Sequence, residues 1–243
     1  CDRGFGGILR KLRLETNSLS GSIPECIGML ENLRQLGLQQ NRLSGSIPKS
    51  LGNLKHLEWL GMGENRLSGH LPKELGKLKK LKKWWIYDNE LTGPLPKELG
   101  NMKSLQRLII GKNHLSGKVP FLPGMPLCNK FERFEAAGNN LEGPVPWDFL
   151  LECHKLTKLC LGNNAFHGEI DSRVCQLQQL TDLCLEDNQL CGKLPRTISE
   201  LKNLTKLFVQ NNHLHGWCWA RRPWHRVSRC PPPACFCGRV DRT

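Results

Sequence analysis

The chain has 243 residues, with 35 Lys and Arg against 22 Asp and Glu, so its formal net charge is +13. This length suits one elongated domain, and the sequence contains no run of 18 or more apolar residues, which excludes a transmembrane helix within it. The basic balance favours anionic partners, but no nucleic-acid-binding motif and no catalytic constellation is recognisable. We therefore expect neither an enzyme, nor a cofactor, nor a nucleic-acid partner.

Asparagine recurs at nearly constant steps through residues 1–216. The steps are 24, 24, 24, 24, 26, 25, 24 and 24 residues. The same frame surrounds each copy, and in the second copy it reads Leu33-x-x-Leu36-x-Leu38-x-x-Asn41-x-Leu43-x-Gly45-x-Ile47-Pro48. A fixed period of this size predicts a solenoid, here of nine repeats. The recurring asparagines are Asn17, Asn41, Asn65, Asn89, Asn113, Asn139, Asn164, Asn188 and Asn212.

The frame L-x-x-L-x-L-x-x-N-x-L resembles the leucine-rich-repeat signature. Its continuation resembles the plant-type subclass, as in Ser44-Gly45-Ser46-Ile47-Pro48. The caps that flank plant-type repeats are not recognisable in residues 1–7 or after the last repeat, so the chain resembles a fragment or an atypical member. The resemblance implies an α/β solenoid: a curved leucine-rich-repeat superhelix with a parallel β-sheet on the concave face and short helical or irregular turns on the convex side.

The frame also has a physical interpretation. Leu36 and Leu38 are two residues apart, so they share one face of a strand and point into the coil. A buried Asn amide can satisfy the polar backbone groups of the turn that follows. The longer step between Asn113 and Asn139 predicts an insertion on the convex side at residues 121–126, with residues 131–136 remaining in the sheet.

One predicted column of the concave face is basic. Lys83, Arg107, Arg133 and Lys158 lie six residues before the asparagine on four consecutive strands. Stacked like charges are unfavourable, which favours an anion lying across the row. The alternative is that the flexible tips spread into water and are screened.

Aromatic residues cluster beside this basic column. The outward positions of strands three to five carry Trp59, Trp85, Tyr87 and Ile109, whereas Trp84 replaces a core leucine. Gly61, Gly63 and Gly111 are expected to leave open floor beside them. Exposed aromatics next to open surface are typical binding anchors, although such rings also shield one another across strands. The predicted ligand-binding residues are Trp59, Lys83, Trp85, Tyr87, Arg107, Ile109, Arg133 and Lys158.

Four of the twelve cysteines fall at informative positions of the repeat. Cys128 and Cys153 take the convex core position of a leucine, and we interpret them as small buried hydrophobic residues. Cys160 and Cys184 take the same outward position on adjacent strands, within reach of a disulfide, but parallel side chains aim poorly at each other.

Two groups of His and Cys residues have the chemistry of metal ligands. His167, Cys191 and His215 stack in one turn column, but the repeat spacing alone generates this alignment. Residues 217–243 break the period and are rich in Trp, Arg, Pro and Cys; they could form a disulfide-bonded cap, a metal cluster or non-native sequence. Their cysteine spacing matches no standard zinc frame. The tail cysteines are Cys218, Cys230, Cys235 and Cys237. We expect no metal and a tail that is disordered or non-native.

The resemblance implies recognition of a protein or peptide, with an acidic ligand favoured by the basic column. It favours an extracellular receptor-like protein or receptor-like kinase, in contact with a membrane only through flanking segments. One alternative is a soluble inhibitor resembling polygalacturonase-inhibiting proteins; another is a cytoplasmic scaffold repeat of a larger protein. A possible glycosylation site at Asn203, in Asn203-Leu204-Thr205, fits a secreted glycoprotein.

Overall fold

Within residues 7–216, the part that the computed structural model describes, eighteen strands form two parallel sheets of nine strands each. Numbered in chain order, the odd strands form the first sheet and the even strands the second. The first sheet comprises β1 (Lys11–Arg13), β3 (Gln35–Gly37), β5 (Trp59–Gly61), β7 (Lys83–Trp85), β9 (Arg107–Ile109), β11 (Arg133–Glu135), β13 (Lys158–Cys160), β15 (Asp182–Cys184) and β17 (Lys206–Phe208). This architecture confirms the predicted leucine-rich-repeat solenoid, and the outer face of the first sheet is its concave face.

A second sheet lies next to the first, and the sequence frame did not predict it. It comprises β2 (Ser20–Ser22), β4 (Arg42–Ser46), β6 (Arg66–His70), β8 (Glu90–Pro94), β10 (His114–Lys118), β12 (Asn140–Pro144), β14 (Ala165–Glu169), β16 (Gln189–Lys193) and β18 (His213–His215). In the first sheet Leu36 pairs with Leu60, a step of one full repeat. In the second sheet Ser44 pairs with Arg66, so that neighbouring strands are staggered by two residues.

Short helices complete each coil on the convex side. A proline precedes most of them. Pro48, for example, has an extended backbone with φ of −67° and no N–H to donate, so the pairing of the preceding strand ends there. Seven 3-10 helices are described, at Glu25–Met29, Lys49–Asn53, Lys73–Lys77, Lys97–Asn101, Pro126–Lys130, Ser172–Gln176 and Arg196–Glu200. The α-helix α1 spans Trp147–Glu152, and over residues 7–216 no helix is long and apolar enough to cross a bilayer.

The interior is a single stack of side chains from consecutive repeats. Leu36 and Leu38 are buried, while Gln35, directly before Leu36, faces outward and remains partly exposed. Trp84, which replaces a leucine, is fully buried. No repeat could bury its apolar face alone, so each depends on its neighbours.

Side-chain amides of the recurring asparagines join consecutive coils. The Asn89 amide donates to the carbonyl oxygens of Ile86 and Tyr87 in its own turn, at 3.3 and 3.2 Å, and to that of Met62 in the preceding repeat, at 3.0 Å. Its oxygen accepts from the backbone N–H of Leu67 at 2.9 Å. The same side chain therefore satisfies backbone groups of two coils that are shielded from water.

The residue before each of these asparagines takes an unusual backbone conformation. Gln40, Glu64 and Asp88, for example, have φ of 58°, 55° and 56°, in the left-handed region that few non-glycine residues occupy. The leucine frame gave no sign of this, because the position carries no common residue type. The conformation turns the chain so that the asparagine side chain reaches inward.

The longer step between Asn113 and Asn139 is accommodated by an insertion on the convex side, and the first sheet continues without a break. Strand β11 pairs with both β9 and β13. Phe121 is buried in the insertion, with its ring centroid 5.2 Å from that of Phe149 and 5.9 Å from that of Phe134. Gly124 donates its N–H to Glu152 of α1 at 2.7 Å. The insertion is thus anchored to the core and to the next convex helix.

Cys128 and Cys153 correct the sequence interpretation. They are buried, but they form a disulfide, with their Cα atoms 4.6 Å apart. Consecutive convex turns present these side chains towards each other, whereas the repeat spacing shows only that they share a column. Cys26 is also disulfide-bonded. The predicted tail, with Cys218, Cys230, Cys235 and Cys237, lies outside the described residues.

We expect Asn89→Ala to lower the free energy of unfolding by about 1–3 kcal/mol, because buried backbone groups of two coils lose their partner. Thermal or urea unfolding monitored by circular dichroism provides the measurement. Asn53→Ala is the matched control, since Asn53 is exposed on the convex side. Equal stabilities of the two variants would contradict a structural role for the asparagine ladder.

The Cys128→Ala/Cys153→Ala double variant should be less stable than the parent by about 2–4 kcal/mol, because the unfolded chain regains the freedom of a loop of 25 residues. Cys175→Ala serves as the control, since Cys175 is a partly exposed free thiol of the described chain. A double variant that melts with the parent would show that the disulfide does not stabilise the fold.

Candidate ligand-binding face

Strand pairing aligns the outward residues of the first sheet into rows that run along the solenoid. Gln35 pairs with Trp59, and Trp59 with Lys83. The row then continues through Arg107 and Arg133 to Lys158. The predicted basic column is therefore continuous across four strands, and it begins beside Trp59.

An aromatic cluster, formed by Trp59, Trp85 and Tyr87, lies in the N-terminal half of the concave face, on its third and fourth strands. The Trp59 and Trp85 rings meet edge to face, with centroids 5.7 Å apart and planes at 88°. The Arg13 guanidinium lies 5.5 Å from the Trp59 ring, within range of a cation–π interaction. Ile109 pairs with Trp85 on the next strand and extends the apolar surface.

Side chains cover the glycines beside the aromatic cluster, whereas the sequence predicted open surface at Gly61 and Gly63. A Cβ atom added to Gly61 would lie 3.0 Å from the Trp59 ring, and one added to Gly63 would lie 2.8 Å from the Tyr87 ring. A Cβ atom on Gly111 would meet the Ala137 carbonyl at 2.8 Å. The aromatic rings therefore fold down over glycines, which decreases their own exposure.

A depression of about 480 Å³ lies on this part of the concave face. It combines aromatic walls with charges of both signs, a composition that suits a ligand with apolar and polar parts. Its lining residues are Arg13, Glu15, Gln35, Gln39, Glu58, Trp59, Lys82, Lys83 and Trp85. The structure brings together Trp59, Lys83 and Trp85 of the predicted site, while Arg107, Arg133 and Lys158 lie further along the face.

Acidic residues accompany most of the basic row. Glu135 lies 3.4 Å from Arg133 and 3.3 Å from Lys158, and Arg107 lies 3.8 Å from Glu132. These pairs offset the like-charge repulsion from which an anionic ligand was inferred. Lys83 has no acidic partner within 4.0 Å among residues 7–216, so the uncompensated positive charge of the row lies next to the aromatic cluster.

Lys158 is held in its charged form by these neighbours. Burial lowers the pKa of its amine, but the Glu135 carboxylate raises it, and the net pKa lies above the ordinary value. Lys158 also lies 3.8 Å from Asp182, which in turn contacts Lys206 at 3.5 Å. The C-terminal half of the face is therefore a network of mutually neutralised charges, and such pairs contribute little to stability individually.

Cys160 and Cys184 pair in register on this half of the face, and both are buried free thiols. The hydrogen bond between them and their burial raise the pKa of the Cys160 thiol. His167 pairs with Gln189, and Cys191 with His213, in the staggered second sheet. Over the described part of the chain, no three His, Cys, Asp or Glu residues are grouped closely enough to hold a metal ion.

Asn203 lies in an exposed turn before β17. Its amide donates to the carbonyl oxygen of Gln178 at 2.8 Å. Exposure is required for glycosylation, and the assignment of Asn203 as a glycosylation site stays a prediction.

Comparison with known proteins places the chain among leucine-rich-repeat proteins. A family model described as leucine-rich repeat region matches residues 6–118. A search of curated protein sequences found no match. Among solved structures, the ectodomain of the Arabidopsis thaliana membrane receptor kinase GASSHO1/SCHENGEN3, in complex with CASPARIAN STRIP INTEGRITY FACTOR 2, is 37% identical, with a TM-score of 0.79, over 84% of this chain and 24% of that one.

Two further structures are similar to this chain. The Arabidopsis receptor kinase HAESA, in complex with the peptide hormone IDA and the co-receptor SERK1, is 31% identical, with a TM-score of 0.71, over 84% of this chain and 38% of that one. A plant ice-binding protein is 29% identical, with a TM-score of 0.73, over 85% of this chain and 66% of that one. The chain thus spans about a quarter of the first receptor structure and about two fifths of the second.

Tyr87 provides a direct probe of this face, because it is the single tyrosine of the chain. Its hydroxyl donates to Glu64 at 2.7 Å, and this bond together with burial raises the pKa of Tyr87 to about 12. The ordinary value is about 10. The neutral phenol therefore stabilises the fold below pH about 10, and this contribution is lost as the pH rises to about 12.

We expect the tyrosinate absorbance of the folded protein to appear with a midpoint near pH 12, and Glu64→Gln to move that midpoint towards 10. Glu90→Gln is the control, since Glu90 is exposed on the second sheet. Circular dichroism at each pH restricts the comparison to folded protein. A midpoint near 10 in the parent would show that Tyr87 does not contact Glu64.

Proposed function

We propose that this chain, which belongs to the plant-type leucine-rich-repeat family, recognises a peptide or an extended protein segment on its concave face as part of an extracellular receptor-like protein or receptor-like kinase. The observation that carries the proposal is the depression beside Trp59 and Trp85, where an uncompensated Lys83 adjoins the aromatic cluster. Burial of aromatic anchors provides affinity, and an uncompensated charge guides the encounter.

The similar structures support this class of partner. Two of them are ectodomains of Arabidopsis receptor kinases, and the HAESA structure contains a peptide hormone. The disulfide between Cys128 and Cys153 supports an oxidising compartment, because structural disulfides are rare in the cytosol. It disfavours the cytoplasmic scaffold that the sequence left open.

The charges of the concave face argue against the alternative function, a soluble inhibitor that binds an acidic enzyme or pectin. That function needs a broadly basic concave face, yet Glu132, Glu135 and Asp182 offset much of the row. A short ligand with an apolar part and one acidic group fits the arrangement better, since Lys83 lies next to Trp59 in the same row.

Ice binding is a second candidate, favoured by the second sheet. Outward serines lie in register on its N-terminal strands, where Ser22 pairs with Ser44 and Ser46 with Ser68. Parallel strands repeat about every 4.8 Å, so each pair presents two hydroxyl groups at that spacing before the rows continue to Arg66 and Glu90. A plant ice-binding protein is among the similar structures. Measurement of thermal hysteresis with the parent and a Ser46→Tyr/Ser68→Tyr variant tests it: activity in the parent that the variant loses supports ice binding.

Peptide recognition is tested by selecting binders from a displayed library of secreted-protein segments on the full chain. For selected peptides we expect Trp59→Ala/Trp85→Ala to weaken binding by about 30-fold or more, mainly through faster dissociation. Phe208→Ala is the matched control, since Phe208 is an exposed aromatic at the far end of the same face. Peptides that bind the double variant as tightly as the parent would locate the binding surface elsewhere.

The charge contribution is tested with the same peptides. Lys83→Ala should mainly slow association and decrease the dependence of the association rate on salt, because an uncompensated, partly exposed charge acts at a distance until salt screens it. Lys55→Ala is the control, since Lys55 is an exposed lysine outside the concave face. Equal salt dependence of the Lys83→Ala variant and the parent would exclude a steering role for Lys83.

A further inference from the structure

Two glycines leave a gap in the middle row of the concave face. The row runs from Arg13 through Gly37 and Gly61 to Trp85, in register on four strands. Because glycine has no side chain, the gap is two strands wide, between the Arg13 guanidinium and the Trp85 indole. The side chain of Trp59 lies over this glycine gap, since a Cβ atom added at either glycine would be 3.0 Å from its ring.

Polar groups line the side of the glycine gap opposite Trp59. The carboxylate oxygen Oε2 of Glu15 would lie 2.5 Å from a Cβ atom on Gly37, and the amide oxygen of Gln39 would lie 2.5 Å from one on Gly61. Both oxygens are buried, and neither accepts a hydrogen bond. Trp85 Nε1 is also buried and donates none. The gap therefore holds two unused acceptors, and an unused donor belongs to Trp85, which pairs with Gly61 on the next strand and lines the same depression.

Buried polar atoms without a hydrogen-bond partner are few in the described chain, and they are concentrated around this site. Residues 7–216 contain six buried side-chain nitrogen and oxygen atoms without a hydrogen-bond partner, and three of the six belong to residues that line the same depression. Buried polar groups in folded proteins nearly always have partners, and exceptions are found where a ligand or water completes them. The side chains around the glycine gap thus present polar groups that make no hydrogen bonds within the described chain.

The chemistry of these groups indicates what would complete them. A hydroxyl group donates one hydrogen bond and accepts two, so adjacent hydroxyls can donate to Glu15 and Gln39 and accept from Trp85. The wide, flat surfaces of Trp59 and Trp85 suit a ring with an apolar face. Arg13 and Glu15 carry opposite charges, so the gap favours neither an anion nor a cation.

We infer that the glycine gap is a subsite for a neutral sugar unit, which stacks on the Trp59 indole after that ring turns away from Gly37 and Gly61 and which hydrogen-bonds to Glu15, Gln39 and Trp85. The inference rests on the proposed recognition role of the concave face. The sugar unit belongs either to a glycan carried by a peptide or to a free oligosaccharide. The same sugar ring would be bound in both cases.

The direct test titrates the full chain with neutral methyl glycosides of glucose, galactose, xylose and arabinose, using saturation-transfer NMR and indole fluorescence. We expect at least one glycoside to bind saturably, with a Kd on the order of millimolar. Gly37→Ala/Gly61→Ala should weaken that binding at least tenfold, because the added methyl groups fill the gap. The nearest atoms that they meet belong to side chains, and both glycines have negative φ, so the fold should be retained; circular dichroism checks this.

Gly162→Ala is the matched control. Its added methyl would meet only the Glu186 side chain, on the same face but away from the aromatic cluster, and we expect glycoside binding to be unchanged. Absence of saturable binding by all four glycosides would overturn the sugar subsite, as would equal binding by the parent and the Gly37→Ala/Gly61→Ala variant.

The failure of the subsite can be distinguished from failure of the proposed function. Selected peptides that bind the parent but not the Trp59→Ala/Trp85→Ala variant, with no glycoside binding, would leave peptide recognition standing and remove the sugar. Where a glycoside does bind, a glycosylated peptide that binds more tightly than both its bare form and the free oligosaccharide assigns the sugar to a peptide. Tighter binding of the free oligosaccharide assigns it to a polysaccharide source.

Discussion

The hydrogen bonds of the buried asparagines hold consecutive coils in a constant relation, and the geometry of the concave face depends on them. The Asn65 amide donates to the Leu38 carbonyl of the preceding repeat at 3.0 Å, and its oxygen accepts from the Leu43 N–H at 3.0 Å. Because the same contacts recur from repeat to repeat, each strand of the first sheet pairs with the next without slipping. A side chain that points outward from one strand therefore meets its equivalent on the next.

Constant register has an electrostatic consequence. It places Arg107, Arg133 and Lys158 in one row, which alone would be unfavourable. The neighbouring Glu132 and Glu135 bring negative charge to within 4 Å of the row. The solenoid thereby tolerates a strongly basic composition over much of its concave face without a bound anion, and its free charge is localised beside the aromatic cluster.

The same register creates the glycine gap and determines how it is filled. Gly37 and Gly61 occupy successive positions of one row, so the space that each leaves merges with the next. Trp59 fills that space in the unliganded chain, in contact with Trp85 and Arg13. The arrangement links the packing of the face to the recognition that we propose for it.

The sequence by itself determined the features that follow from periodicity. The recurrence of Asn and Leu predicted the solenoid, the inward leucines, the buried Trp84 and the continuous first sheet across the long step before Asn139. The outward rows follow for the same reason, because residues one repeat apart must become neighbours once the strands pair.

Only the tertiary structure decided where side chains go within those rows. The repeat places Cys128 and Cys153 in one column, but the convex turns bring their sulfur atoms together. The two-residue stagger of the second sheet appears only in the strand pairing, since the leucine frame does not specify it. Whether Trp59 stands above the sheet or lies over Gly61 depends on its rotamer and on neighbours in adjacent strands. Sequence periodicity specifies which backbone positions become neighbours; packing between neighbouring coils selects the directions of their side chains.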